Sequence, residues 1–116
     1  MSTVSIYHNP LCSKSRQTLN LLEERGIEPS VIRYLDTPPD IETIEKLLDM
    51  LGLEPRELMR RKEKEYKELG LDDEGLDRAS LIRAMHEHPR LIERPIVLVN
   101  GKAAIGRPPE SVLEIL

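Results

Sequence analysis

The chain has 116 residues, with 17 basic and 21 acidic side chains, a net charge of −4, one cysteine, no tryptophan and no phenylalanine. That length holds one domain with one core, and 39% apolar residues are too many for a disordered chain. No segment approaches the ~20 apolar residues that span a bilayer, the acidic balance argues against general nucleic-acid binding, and a lone cysteine excludes an internal disulfide.

Thr3 to Tyr7, with Val4 and Ile6, predicts a first strand broken at His8-Asn9-Pro10. No basic leader or small-residue cleavage site precedes it, so the expected location is the cytoplasm, where a single cysteine stays reduced. Ser13 to Arg25 reads as a helix: Leu19 and Leu22, and Thr18 and Leu22, share a face at three- and four-residue spacing. Gly26 is a plausible left-handed stop after it. Residues 30–35 carry the β-branched character of a second strand. A strand, a helix and a strand within about 35 residues predict two parallel strands.

The middle of the chain is helical throughout. Pro39 to Leu51 presents Ile41, Ile44, Leu47, Leu48 and Leu51 as an amphipathic stripe. A short helix is expected from Pro55 to Arg60, and the charged stretch 62–69 pairs Glu63 with Lys67 and Lys64 with Glu68. A further helix spans about Asp77 to His88, stopped by Pro89. Residues 96–99 and 102–105 then read as strands joined by Asn100-Gly101, a dipeptide suited to the two positive φ values of a type I′ turn. A last helix is expected over Pro109 to Leu116.

The order β-α-β, helices, β-β-α is that of an α/β, thioredoxin-like fold with a mixed sheet. The expected organisation is a single domain over 1–116 with a helical insertion at about 39–90.

Cys12 lies just past the first strand, at the start of the first helix. Free N–H groups and the helix dipole favour an anion there, which lowers a thiol pKa from its free value of about 8.5. His8, Lys14 and Arg16 are expected to add positive charge. The flanks Pro10, Ser13, Lys14 and Ser15 are polar or turn-forming, which favours a reactive thiol over a buried apolar cysteine. Ser15 occupies the position of a second cysteine in a Cys-x-x-Cys motif, so a mixed disulfide cannot be resolved within the chain and an external thiol is needed. For Ser15 itself two roles are open: a hydrogen bond to the thiolate, or satisfaction of backbone donors at the helix start.

Arginine supplies 11 of the 17 basic residues, so an arginine at any one place says little. Arg61, Arg78, Arg83 and Arg90 are expected on the surface. Arg94-Pro95 precedes the third strand, and composition alone leaves that bond trans. His86 and His88, two apart, do not share a helix face, and no metal site is expected. The charged run from Glu54 to Glu74 reads as a solvated face.

The stretch 7–16, Tyr-His-Asn-Pro-Leu-Cys-Ser-Lys-Ser-Arg, resembles the active-site loop of the ArsC-type, glutathione- and glutaredoxin-dependent arsenate reductases. The resemblance continues through residues 34–39, 58–60, 66–71, 91–97 and 106–110, covering essentially the whole chain, and it is strongest to the YfgD-like subgroup. It implies a cis bond between Arg94 and Pro95, a nucleophile at Cys12 with His8 nearby, and three arginines, Arg60, Arg94 and Arg107, that bind the arsenic oxyanion. It also implies arsenate or a related oxyanion as substrate, glutathione as co-substrate, glutaredoxin as partner and no bound cofactor. A monomer is the default expectation.

Two other readings remain. A regulator of the Spx type shares the fold and binds RNA polymerase, but Ser15 removes its Cys-x-x-Cys switch, and Arg107 has no counterpart there. A glutathione-dependent thiol transferase without arsenate activity is compatible with Cys12-x-x-Ser15 taken alone.

Overall fold

The computed structural model describes residues 4–116, so Thr3 of the expected first strand lies outside the described residues. These residues form two compact units, one made of the chain up to Thr37 together with Arg94–Leu116, the other of Pro38–Glu93. The sequence placed the helical insertion at about 39–90.

The first unit holds a four-stranded mixed sheet in the order β2-β1-β3-β4, built from β1 (Val4–Tyr7), β2 (Ser30–Ile32), β3 (Ile96–Val99) and β4 (Lys102–Ile105). β1 runs parallel to β2, with Ile6 opposite Val31. It runs antiparallel to β3, with Val4 opposite Val99 and Tyr7 opposite Ile96. β3 and β4 form the hairpin, in which Asn100 (φ 50°) and Gly101 (φ 81°) supply the two left-handed positions of the turn.

Between β1 and β2 runs α1 (Ser13–Glu24). Gly26, at φ 76°, ends it, with its N–H donating to the Glu23 carbonyl and that of Ile27 to Leu22. Val4, Ile6, Leu22, Val97, Val99 and Val112 form the buried core of this unit, with Leu19, Ile27 and Ile115 packed against it. Val112 comes from a 3₁₀ segment, Pro109–Ile115, where the sequence predicted an α-helix.

Three strands in the sequence match closely, but β2 ends at Ile32 rather than at residue 35. The cause is local. The Arg33 carbonyl accepts from the N–H groups of Asp36 and Thr37, and the Arg33 guanidinium meets Asp36 at 3.4 Å, so the chain turns while Tyr34 is buried.

The second unit contains α2 (Ile41–Leu51), α3 (Lys64–Glu68) and α4 (Arg78–Glu87), with 3₁₀ turns at Pro55–Leu58 and Pro89–Leu91. Pro89 ends α4 and also opens that last turn. Asp40 caps α2 by accepting from Thr43 N–H at 2.8 Å, and Asp77 caps α4 by accepting from Ser80 N–H at 2.9 Å. α2 packs on α4 through Ile44, Leu47, Leu48, Leu81, Ile82 and Met85, all buried, as the apolar spacing of both helices predicts.

Candidate active site

The thiol stands on a tight turn between β1 and α1. His8 still belongs to the sheet, donating its N–H to the Ile32 carbonyl at 2.8 Å. Asn9 then organises the turn: its side-chain Oδ1 accepts from Leu11 N–H at 3.0 Å, and its carbonyl accepts from Cys12 N–H at 3.0 Å. An asparagine ahead of proline is a recognised turn former for this reason, and that signal was available in the sequence although no role was assigned to Asn9. Cys12 is the N-cap of α1, with extended backbone (φ −94°, ψ 124°), and its carbonyl accepts from Arg16 N–H.

Burial pushes the Cys12 thiol pKa up, but the opposing influences outweigh it and the net shift is downward from 9.0. These are the Ser15 N–H, a hydrogen bond from the Arg94 side chain, the Arg94 charge and the Lys14 N–H. Neither amide completes a capping hydrogen bond to the side chain, so their effect is that of dipoles pointing at the helix start. Arg107 adds a direct contact, with Nη2 donating to Sγ at 3.4 Å. Its Nε donates to the Arg94 carbonyl at 2.7 Å, which ties the two arginine-bearing segments together. The structure thus brings Cys12, Arg94 and Arg107 to one place.

His8 and Ser15 bond to each other in the buried part of this loop. The Ser15 hydroxyl accepts from Asn9 N–H at 3.0 Å and sits 2.6 Å from His8 Nδ1, with both residues buried. Burial lowers the His8 pKa from 6.5, and the charges of Arg33 and Arg16 lower it further. The positive charge expected from His8 beside the thiolate is therefore corrected: the imidazole is neutral at pH 7, because it is desolvated and two guanidinium groups repel its proton. With the ring proton on Nε2, the single Ser15 hydroxyl proton is donated to Nδ1. Of the two roles open to Ser15, the hydroxyl takes the second: it satisfies a backbone donor, the Asn9 N–H of the loop leading into the helix. It braces His8 against the Asn9 turn, while the Ser15 amide acts on Cys12. Arg16 reaches back instead, donating from Nη1 to the Pro10 carbonyl at 2.9 Å.

Arg60 belongs to the second unit. Its N–H donates to the Leu91 carbonyl, next to a bridge between Met59 and Ile92. Its guanidinium is held by two carboxylates, Glu63 at 3.2 Å from Nε and Glu93 at 3.5 Å from Nη1. Arg90 meets Glu63 and Glu65 in the same network.

Arg94–Pro95 is cis, as the family resemblance implied, and Arg107–Pro108 is a second cis bond without a sequence signal of its own. Among the described residues no group of three or more histidine, cysteine or acidic side chains is placed to hold a metal ion, and no helix is long and apolar enough to cross a membrane.

The model of the ArsC family matches residues 7–115. The chain is 61% identical over 114 residues to the uncharacterized protein YfgD of Escherichia coli (strain K12), covering 97% of this chain and 96% of that protein. It is 55% identical over 117 residues to the arsenate reductase of Neisseria meningitidis serogroup A, covering 100% of both. Among solved structures, the arsenate reductase from Vibrio cholerae superposes with a TM-score of 0.97 at 60% identity, covering 98% of each chain.

Proposed function

The chain belongs to the ArsC family, and on that footing we propose that it is an oxidoreductase that reduces arsenate to arsenite through a thiolate–arsenic adduct on Cys12, with glutathione and glutaredoxin as reductants. The observation that carries this reading is the Cys12 thiol at a helix start, its pKa lowered, with Arg107 Nη2 3.4 Å from Sγ and Arg94 acting on the same sulfur. Arginine suits a tetrahedral oxyanion because its planar fork donates paired hydrogen bonds and remains charged. The family resemblance implies Arg60 as a further oxyanion ligand.

In the proposed cycle the Cys12 thiolate attacks arsenic, forming a sulfur–arsenic bond, and one arsenic–oxygen bond breaks with the oxygen leaving as water. Glutathione adds its sulfur to arsenic in the same way. The glutaredoxin thiol then attacks the glutathione sulfur, two electrons pass to arsenic, and glutathione departs as a mixed disulfide with glutaredoxin. Hydrolysis of the remaining sulfur–arsenic bond releases arsenite and regenerates Cys12. Summed, one arsenic acid, one glutathione and one glutaredoxin thiol give arsenious acid, one mixed disulfide and one water. Arg94 and Arg107 stabilise the charge on the oxyanion and on its adduct. The working form is a cytoplasmic monomer without a bound cofactor.

The test is arsenate reduction by the purified protein with glutathione, glutaredoxin and their recycling system. Turnover that disappears in Cys12→Ser is the expected result, together with weaker arsenate binding by about tenfold in Arg107→Ala, the loss of one charge-assisted hydrogen bond at an exposed site. No turnover despite a reactive Cys12 would overturn the arsenate reading. If glutathione mixed disulfides were reduced instead, the thiol-transferase reading would replace it.

A further inference from the structure

Gly106 is buried, and its backbone is not in the left-handed region, so flexibility does not explain the residue. Space does. A Cβ placed there would fall on Thr18 Oγ1, 2.8 Å from Pro95 Cγ and 3.1 Å from Thr18 Cγ2. Thr18 presents both branches of its side chain to this point, so rotating it exchanges one clash for another. It is also fixed by its own bond, Oγ1 donating to the Lys14 carbonyl at 2.8 Å, and it is fully buried.

The three partners at this point are also the neighbours of the three groups of the site. Thr18 lies on α1, whose N-cap is Cys12. Pro95 follows Arg94, and Gly106 itself precedes Arg107. The Gly106 N–H donates to the Pro95 carbonyl at 2.9 Å, so the segments carrying the two arginines are joined here by backbone and meet the Thr18 side chain of α1 with none from residue 106 between them.

We propose that Gly106 is a positioning residue: the absence of a side chain lets the Arg94 and Arg107 segments close onto α1, and this sets the arginine-to-thiol distance on which both thiolate stabilisation and oxyanion binding depend. Any Cβ at residue 106 separates α1 from these segments and draws Arg107 away from Sγ. At 3.4 Å the Arg107 contact is an ordinary hydrogen bond to the larger sulfur atom, and lengthening it weakens both the bond and the attraction of the charge for the thiolate. The same displacement enlarges the space around the oxyanion, which makes residue 106 a determinant of oxyanion size as well as affinity. The inference rests on the thiol and arginine site proposed above, but not on arsenate being its substrate.

The experiment compares wild type, Gly106→Ala and the double variant Thr18→Ala/Gly106→Ala. The double variant removes both branches of residue 18 from the path of the new methyl. Two readouts are taken on folded protein: the pH midpoint of Cys12 alkylation by iodoacetamide without any oxyanion, and the affinity for arsenate alone by calorimetry. In Gly106→Ala the alkylation midpoint is expected to rise by roughly one pH unit and arsenate binding to weaken about tenfold, with both changes partly reversed in the double variant, which relieves Thr18 and leaves the approach to Pro95. An unchanged midpoint and affinity in folded Gly106→Ala overturns the proposal. If Gly106→Ala does not fold, a folded double variant whose midpoint is raised and whose arsenate affinity is weakened supports it, because the close approach to Pro95 remains, and a folded double variant unchanged in both overturns it. Failure of both variants to fold overturns it too, since glycine would then serve folding and not the site. A wild type that fails to reduce arsenate while the midpoint still moves in Gly106→Ala sinks the proposed activity and leaves this inference standing.

Discussion

At Cys12 and His8 one short loop favours a negative side chain and, four residues earlier, a neutral one. Cys12 is only partly buried and receives amide dipoles and an arginine, so attraction wins over desolvation. His8 is buried first and repelled by Arg33 and Arg16 second, so its pKa falls below 6.5. The stability consequence has a definite sign. The unfolded chain protonates His8 at a pH where the folded chain does not, so acidification below about 6.5 favours unfolding until the folded imidazole also takes up a proton. The urea midpoint is expected to fall across that interval, and to fall less in His8→Gln; identical slopes in the two proteins would contradict this account. The placement of Cys12 was legible in the sequence, because the helical pattern begins at Ser13 and so puts Cys12 immediately before the first helical residue. The charge state of His8 was not, because it depends on how much water reaches the ring and on where Arg33 lies.

At the scale of elements, local chemistry predicted most of what is seen. The stripe of α2 begins after an asparticacid cap and ends at Gly52, whose φ of 67° places it in the left-handed region. Gly52→Ala forces a Cβ into that conformation and is expected to cost about 1 kcal/mol, measured as a lower urea midpoint with an unchanged slope. No loss would mean that the helix end relaxes into another geometry. The misjudged elements share a cause. β2 has three residues because the Arg33 carbonyl captures the Asp36 and Thr37 amides, and the final segment is 3₁₀, with Ser111 and Leu116 N–H donating three residues back to the Pro108 and Leu113 carbonyls. Both outcomes hinge on competition between backbone partners, which periodicity does not report.

At the scale of the whole molecule, the sheet is assembled from ends of the chain separated by more than fifty residues: Val4 pairs with Val99, and Val112 completes the core around Leu22. Leu22 is fully buried between helix and sheet. Leu22→Ala is expected to destabilise the protein by about 3 kcal/mol, a large part of the ~5–15 kcal/mol typical of a domain, and equilibrium urea unfolding measures it; a loss well under 1 kcal/mol would mean that the core re-packs without a cavity. The net charge of −4 is a property of the whole surface and did not report the local field, since the two arginines that meet Cys12 come from segments far from it in the chain. By itself, the sequence determined the order of the elements, the parallel β-α-β unit, the Asn-Gly hairpin and the thiol at a helix start, because each follows from local spacing and backbone preference. The tertiary structure alone decided that Arg107 touches the sulfur, that His8 is neutral, that Ser15 braces the loop and that residue 106 has no room for a side chain. Those are distances between segments remote in sequence, set by packing.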